Sequence, residues 1–115
     1  MPRDITCLVK SMTEQALLVL TALTEGPRHG YAIVQSVDAL SEGRTRLRVG
    51  TLYGVLDRLV AEGLAEPDRD EVHQGRLRRY YRITEPGVRA LTAEVARLDA
   101  TVRAASAALR ARETG

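Results

Sequence analysis

Between Arg76 and Arg82 the chain reads Arg-Leu-Arg-Arg-Tyr-Tyr-Arg, a run of guanidinium groups interleaved with phenols. Guanidinium is permanently charged, and its planar fork matches a phosphate or the edge of a guanine. Arg76, Arg78 and Arg79 are therefore candidate phosphate contacts, with Tyr80 as their support; a solvated basic strand is the alternative. One wing-tip arginine can instead enter a narrow minor groove. A second group lies upstream, on the polar side of a helical pattern: Gly50, Thr51, Tyr53, Gly54, Asp57 and Arg58. Free amides at a helix start attract phosphate, so Gly50 and Thr51 either bind an anion or simply cap. The Tyr53 hydroxyl either donates to a phosphate or its ring covers the edge of the core. Gly54 lets the backbone approach a groove closely. Asp57 can accept from a cytosine amino group, with Arg58 screening it from phosphates. His29 either donates to phosphate or caps the helix that follows it, and Arg46 and Arg48 are further backbone-contact candidates.

Other chemistry has little material. Cys7 is the single cysteine, which excludes an internal disulfide and a cysteine-based metal cluster. With two histidines, one cysteine and no phosphate-binding glycine loop, no catalytic constellation is visible, and neither an enzyme nor a cofactor is expected. His73 among Asp68, Asp70 and Glu71 reads as a solvated turn, not a metal site. No apolar run approaches the ~18 residues of a membrane span, so a soluble cytoplasmic protein is expected. The net charge of +2 conceals local clustering, because basic residues dominate from Leu77 to Arg82 while the acids lie elsewhere. Lys10 is the only lysine, a bias that fits a GC-rich genome as well as bidentate contacts.

The elements that must position these groups follow from periodicity. Thr13 caps a helix over 14–24 with Ala16, Leu17, Leu20 and Leu23 on its apolar face. Glu25-Gly26-Pro27 ends it. A second helix opens near His29 or Gly30 and buries Tyr31, Val34 and Val37, with Ile33 and Leu40 as further members. Arg44–Arg48 is a candidate edge strand. A third helix over 51–62 places Leu52, Val55, Leu56, Leu59 and Val60 in one stripe. Leu64–Glu66 reads as a strand ended by Pro67, 68–75 as a polar turn, and 76–83 as a second strand. That strand alternates Leu77, Tyr81 and Ile83 against Arg76, Arg78, Tyr80 and Arg82, leaving Arg79 on the apolar side near the hairpin tip. Thr84 caps a final helix to about Arg112, in which Val88, Leu91, Val95, Leu98, Val102, Ala105 and Leu109 recur in a heptad. Such a seam needs cover from the first helix, another chain, or both. The expected fold is mainly α with a small β-hairpin: a winged helix-turn-helix over 1–84, including an N-terminal arm over 1–11, then a dimerisation helix over 85–115.

Three stretches resemble the PadR family of transcriptional regulators: His29-Gly30-Tyr31-Ala32-Ile33; Gly50 to Leu59 with Glu62-Gly63-Leu64; and Arg78 to Thr84 with Gly87. The resemblance covers about 16–91 and is to the compact members with one C-terminal helix. It implies a homodimer on double-stranded DNA with a pseudo-palindromic operator, most often as a repressor. It also implies release by a small aromatic or drug-like effector at the dimer interface. The chain departs from the family at Gly54, where members commonly carry Pro, and at Asp57, where they carry a basic or polar residue. It has no Trp on which a drug could stack. A winged-helix module that binds protein instead of DNA is the alternative function.

Overall fold

The computed structural model describes residues 12–114. The proposed arm, with Cys7 and Lys10, lies outside the described residues. Helix α1 (Glu14–Leu23) starts where the Thr13 hydroxyl accepts the Ala16 N–H at 3.1 Å, and it buries Ala16, Val19, Leu20, Ala22 and Leu23. A two-residue strand β1 (Arg28–His29) leads into α2 (Gly30–Leu40). Helix α3 (Val49–Ala61) follows an irregular connection, then strands β2 (Ala65–His73) and β3 (Arg76–Ile83), then α4 (Glu85–Thr114). Ile33 and Val37 of α2 and Leu52, Leu56 and Leu59 of α3 close on α1 to form an aliphatic core, with Tyr81 of β3 at its edge.

Several expectations are corrected. Residues 44–48 form no strand; Arg28 and His29 pair with Tyr81 and Tyr80 instead, so β3 is the middle of a three-stranded antiparallel sheet. Pro67 does not end its strand. Opposite Tyr80, β2 carries two residues, Asp68 and Arg69, between the Pro67–Tyr81 and Asp70–Arg79 pairs. This bulge lets the ladder continue past a residue with no N–H. The polar turn shrinks to Gln74-Gly75, both at positive φ (53° and 78°), the geometry that suits a tight hairpin. Helix α3 begins at Val49, two residues before the expected start. In α2 the buried stripe is Gly30, Ile33 and Val37, while Tyr31 and Leu40 face outward. Leu77, expected on the apolar face, is also exposed, because the sheet runs beyond the core there.

The base of α4 is fixed on the hairpin root. The Thr84 hydroxyl accepts the Gly87 N–H at 3.0 Å and donates to the Gly63 carbonyl at 2.6 Å. The Leu64 carbonyl accepts the Thr84 N–H at 3.1 Å, and a Cβ on Gly87 would fall directly on that same oxygen. Further along, Glu94 is buried on the side of α4 that faces α1, where it accepts from Arg97 (2.6 and 3.1 Å). Arg97 holds the Glu94 carboxyl below its ordinary range, against the opposing effect of burial. The heptad seam splits here. Leu91 packs on the winged-helix core, whereas Val88, Val95, Val102 and Leu109 are 42, 54, 60 and 62% exposed. Leu98 is half-buried and Ala105 exposed.

Candidate nucleic-acid interface

The exposed side of α3 carries Gly50, Thr51, Tyr53, Gly54, Asp57 and Arg58, as its periodicity requires once Leu52, Leu56 and Leu59 turn inward. The residue at the N-cap is Arg48, which supplies no side-chain cap. Thr51 is therefore the third helical residue and does not itself cap. Neither Asp57 nor Arg58 forms an ion pair among the described residues.

Between the starts of α2 and α3 and the strand β3 lies an open cleft of about 410 Å³. Its walls are His29–Tyr31, Val49 with Tyr53, and β3 from Arg76 to Arg79. The structure thus joins His29, Tyr53, Arg76, Arg78 and Arg79 in one concavity. The Tyr53 hydroxyl rests against Gly30, where a Cβ would meet it at 2.7 Å. Gly50, Thr51, Gly54, Asp57 and Arg58 stay outside the cleft, on α3. Tyr80 is half-buried on the outer face of the sheet. The Arg69 guanidinium lies 4.1 Å from its ring centroid, and the His29 ring meets it edge-on at 5.2 Å.

The hairpin arginines are not surrounded by open solvent, and the expectation that the acids lie elsewhere is corrected. Arg79 faces Asp70 directly across the ladder and pairs with it at 3.4 Å. Arg82 reaches Glu66 (2.6 Å) and Asp68 (3.0 Å), and Arg69 bridges Asp68 (2.8 Å) and Glu71 (2.6 Å). Solvent screens exposed pairs of this kind, so their main effect is on the field the hairpin presents and not on stability. Arg76 has no ion-pair partner among the described residues. Arg78 turns from its cross-strand neighbour Glu71 to His29, Nη1 to Nε2 at 3.1 Å. Burial, then the nearby Arg78 and His73, lower the His29 pKa from its ordinary 6.5, so the ring is neutral at pH 7. Among the described residues no group of three or more His, Cys, Asp or Glu side chains is placed to hold a metal ion. No helix among them is long and apolar enough to cross a membrane.

Residues 19–93 match the family model described as the transcriptional regulator PadR-like family. The chain belongs to the PadR-like family. Its members are transcriptional regulators, not enzymes. Among solved structures this PadR-like chain is similar to a PadR family transcriptional regulator from Eggerthella lenta (30% identity, TM-score 0.67), covering 82% of this chain and 80% of that one. The fold is also that of Bacillus subtilis PadR in complex with operator DNA (21% identity, TM-score 0.61), covering 70% of this chain and 46% of that one. Over 58 residues the chain is 45% identical to an uncharacterised transposon protein of Streptomyces fradiae, a match that spans 50% of this chain but only 16% of that relative's length.

The PadR-like winged helix has cleft-lining residues that the periodicity argument placed elsewhere or passed over. Tyr31 (64% exposed), Val49 and Leu77 (63% exposed) line the cleft, and Val72 faces Leu77 across the ladder. The signal for Tyr31 was present: a stripe at 30, 33 and 37 fits the helical period as well as one at 31, 34 and 37. The first phasing leaves the tyrosine outside.

Proposed function

We propose that this chain is a homodimeric, operator-binding transcriptional regulator whose head, residues 1–84, binds DNA and whose helix, 85–115, holds the dimer. The observation that carries the reading is the shared orientation of α3 and β3. The exposed polar face of α3 opens beside a cleft whose third wall is Arg76, Arg78 and Arg79. A helix in a major groove, flanked by a hairpin on the adjacent backbone, uses such an arrangement. Gly50, Thr51, Tyr53, Gly54, Asp57 and Arg58 face the groove, while His29 and the arginines meet phosphates and Tyr80 backs them. The similarly folded Bacillus subtilis protein is one seen with operator DNA.

Dimerisation is supported by the uncovered stripe Val88, Val95, Val102 and Leu109, spaced by seven residues on α4. Two heads so joined address successive major grooves about 34 Å apart on a pseudo-palindromic site. Repression in the cytoplasm, and release by a small aromatic effector between the C-terminal helices, are supported by the family resemblance. The effector acts by favouring a head spacing that the operator does not match.

One observation favours a second reading, a protein-binding module. The acids of β2 pair with much of the hairpin's positive charge. Selection of genomic DNA fragments at about 150 mM salt, with the selected species sized, separates the two. A palindromic site bound by a dimer supports the regulator. Weak, sequence-blind binding that vanishes with salt supports the module.

A further inference from the structure

His29 holds two contacts that a single neutral imidazole cannot both make as hydrogen bonds. Its Nδ1 lies 3.3 Å from the Ala32 N–H as the N-cap of α2, and its Nε2 lies 3.1 Å from Arg78 Nη1. Amide and guanidinium are both donors, whereas a neutral ring has one acceptor nitrogen and one N–H. If Nδ1 caps the helix, Nε2 carries the proton and confronts a second donor. If Nε2 accepts from Arg78, the Ala32 amide confronts Nδ1–H. The conflict disappears when an anion stands on the Nε2 side, because Nε2–H and the guanidinium then both donate to it while Nδ1 keeps its cap.

The cleft provides the room and the field for that anion. His29, Arg78 and Tyr53 all line it; no Asp or Glu is among the described residues lining it, and Glu71, the acid whose charge reaches His29, is paired with Arg69 at 2.6 Å. The Tyr53 hydroxyl has no hydrogen-bond partner among the described residues and lies beside Gly30, the residue that follows His29. Arg76 adds positive charge to the same wall, while Arg79 there is paired with Asp70. The opening is continuous with the exposed face of α3, so an extended polyanion can run past it, which suits a backbone phosphodiester better than a small free anion.

We infer that one DNA backbone phosphate seats against His29 Nε2–H, the Arg78 guanidinium and the Tyr53 hydroxyl, fixing the imidazole in its Nε2–H tautomer. The inference rests on the DNA-binding reading above and adds to it an assigned phosphate seat and a protonation pattern. The burial that keeps His29 neutral is consistent with it, since the seat uses a neutral donor and not a histidinium.

The test uses the full chain, ¹⁵N-labelled at histidine, with a duplex that the protein selects from genomic fragments. In the complex, two-bond ¹H–¹⁵N spectra should show His29 as Nε2–H, and inorganic phosphate titrated into free protein should shift His29 in the same direction. His29→Ser retains a hydroxyl N-cap but removes Nε2. It should bind selected and random duplexes about tenfold more weakly while unfolding at a temperature close to wild type. A complex in the Nδ1–H form, or undiminished affinity of a folded His29→Ser protein, overturns the phosphate seat and leaves the DNA-binding reading standing. If wild type binds no duplex at any salt concentration, both fall. Should His29→Ser fail to fold, the wild-type tautomer decides alone.

Discussion

The Tyr53 hydroxyl lies on Gly30, so close that a single added methyl carbon would come within 2.7 Å of the oxygen and 3.2 Å of the ring carbon bearing it. The start of the second helix and the exposed side of the third are thereby held in register by one phenol. Because the obstructing atom is the far end of a side chain, Gly30→Ala should displace Tyr53 without unfolding the domain. DNA affinity should fall several-fold. In a Tyr53→Phe background the same change should cost less, since the clashing oxygen is gone. A double-mutant cycle measured by titration with duplex DNA checks this, and strict additivity would show that the two positions are not coupled.

Gly87→Ala presents the opposite case. Its Cβ would strike the Leu64 backbone carbonyl, which already accepts from Thr84 and cannot rotate aside. The expected loss is about 1–3 kcal/mol. Thermal unfolding of the variant should fall by several degrees, roughly 4–8 °C per kcal/mol in a domain of this size.

The hairpin arginines should differ in their contribution to binding. Arg76 has no partner among the described residues, whereas Arg79 is engaged by Asp70. Arg76→Ala should therefore weaken DNA binding more than Arg79→Ala. Asp70→Asn should strengthen binding and steepen the dependence of log affinity on log salt by up to about one unit. Salt titrations of the three variants on one duplex provide the check, and equal effects of the two arginine changes would refute the distinction.

The pH dependence of stability should have two separate origins. The folded pKa of His29 lies below its ordinary 6.5, so the unfolded chain binds its proton more readily. Its contribution is fully present above pH 6.5 and is lost as pH falls through the folded value. Glu94, lowered from 4.5 by Arg97, contributes above pH 4.5 and loses that contribution only in stronger acid. Urea unfolding from about pH 8 down to about pH 2 should show the upper loss absent in His29→Ser and the lower one reduced in Glu94→Gln.

Val95→Asp with Val102→Asp should convert a dimer to folded monomers, because both side chains are uncovered on α4. Leu91→Asp should instead unfold the head, since that residue packs on its core. Sedimentation with circular dichroism separates the outcomes. Monomers from Leu91→Asp with an intact head would show that Leu91 belongs to the dimer contact.

What was legible in the sequence was what depends on near neighbours. The stripe on α3, the Thr13 and Thr84 caps and the last part of the β3 alternation, where Tyr81 is buried and Arg82 exposed, are short-range patterns, and each appears in the structure. What was not legible depends on distant partners. Two residues, Arg28 and His29, become a strand only because Tyr80 and Tyr81 lie beside them. The acids of β2 read as a loop because Pro67 seemed to end the strand, and their pairing with β3 depends on a register that the bulge sets. Tyr31 and Leu77 were misplaced for a related reason. Apolar side chains mark a core only where the element still overlies it, and the overlap is a property of the assembled domain.

Helix α4 is 30 residues long, about 45 Å, and its first turn is seated on the Leu64 carbonyl through Gly87. That makes it a lever arm clamped at one end to the DNA-binding head. A tilt of only about 5° between two such arms moves their ends by roughly 4 Å, comparable to the step between adjacent base pairs. In the proposed dimer, a small change where the two helices meet is thus magnified into a misfit of one base pair at the grooves, with neither head altering its own shape.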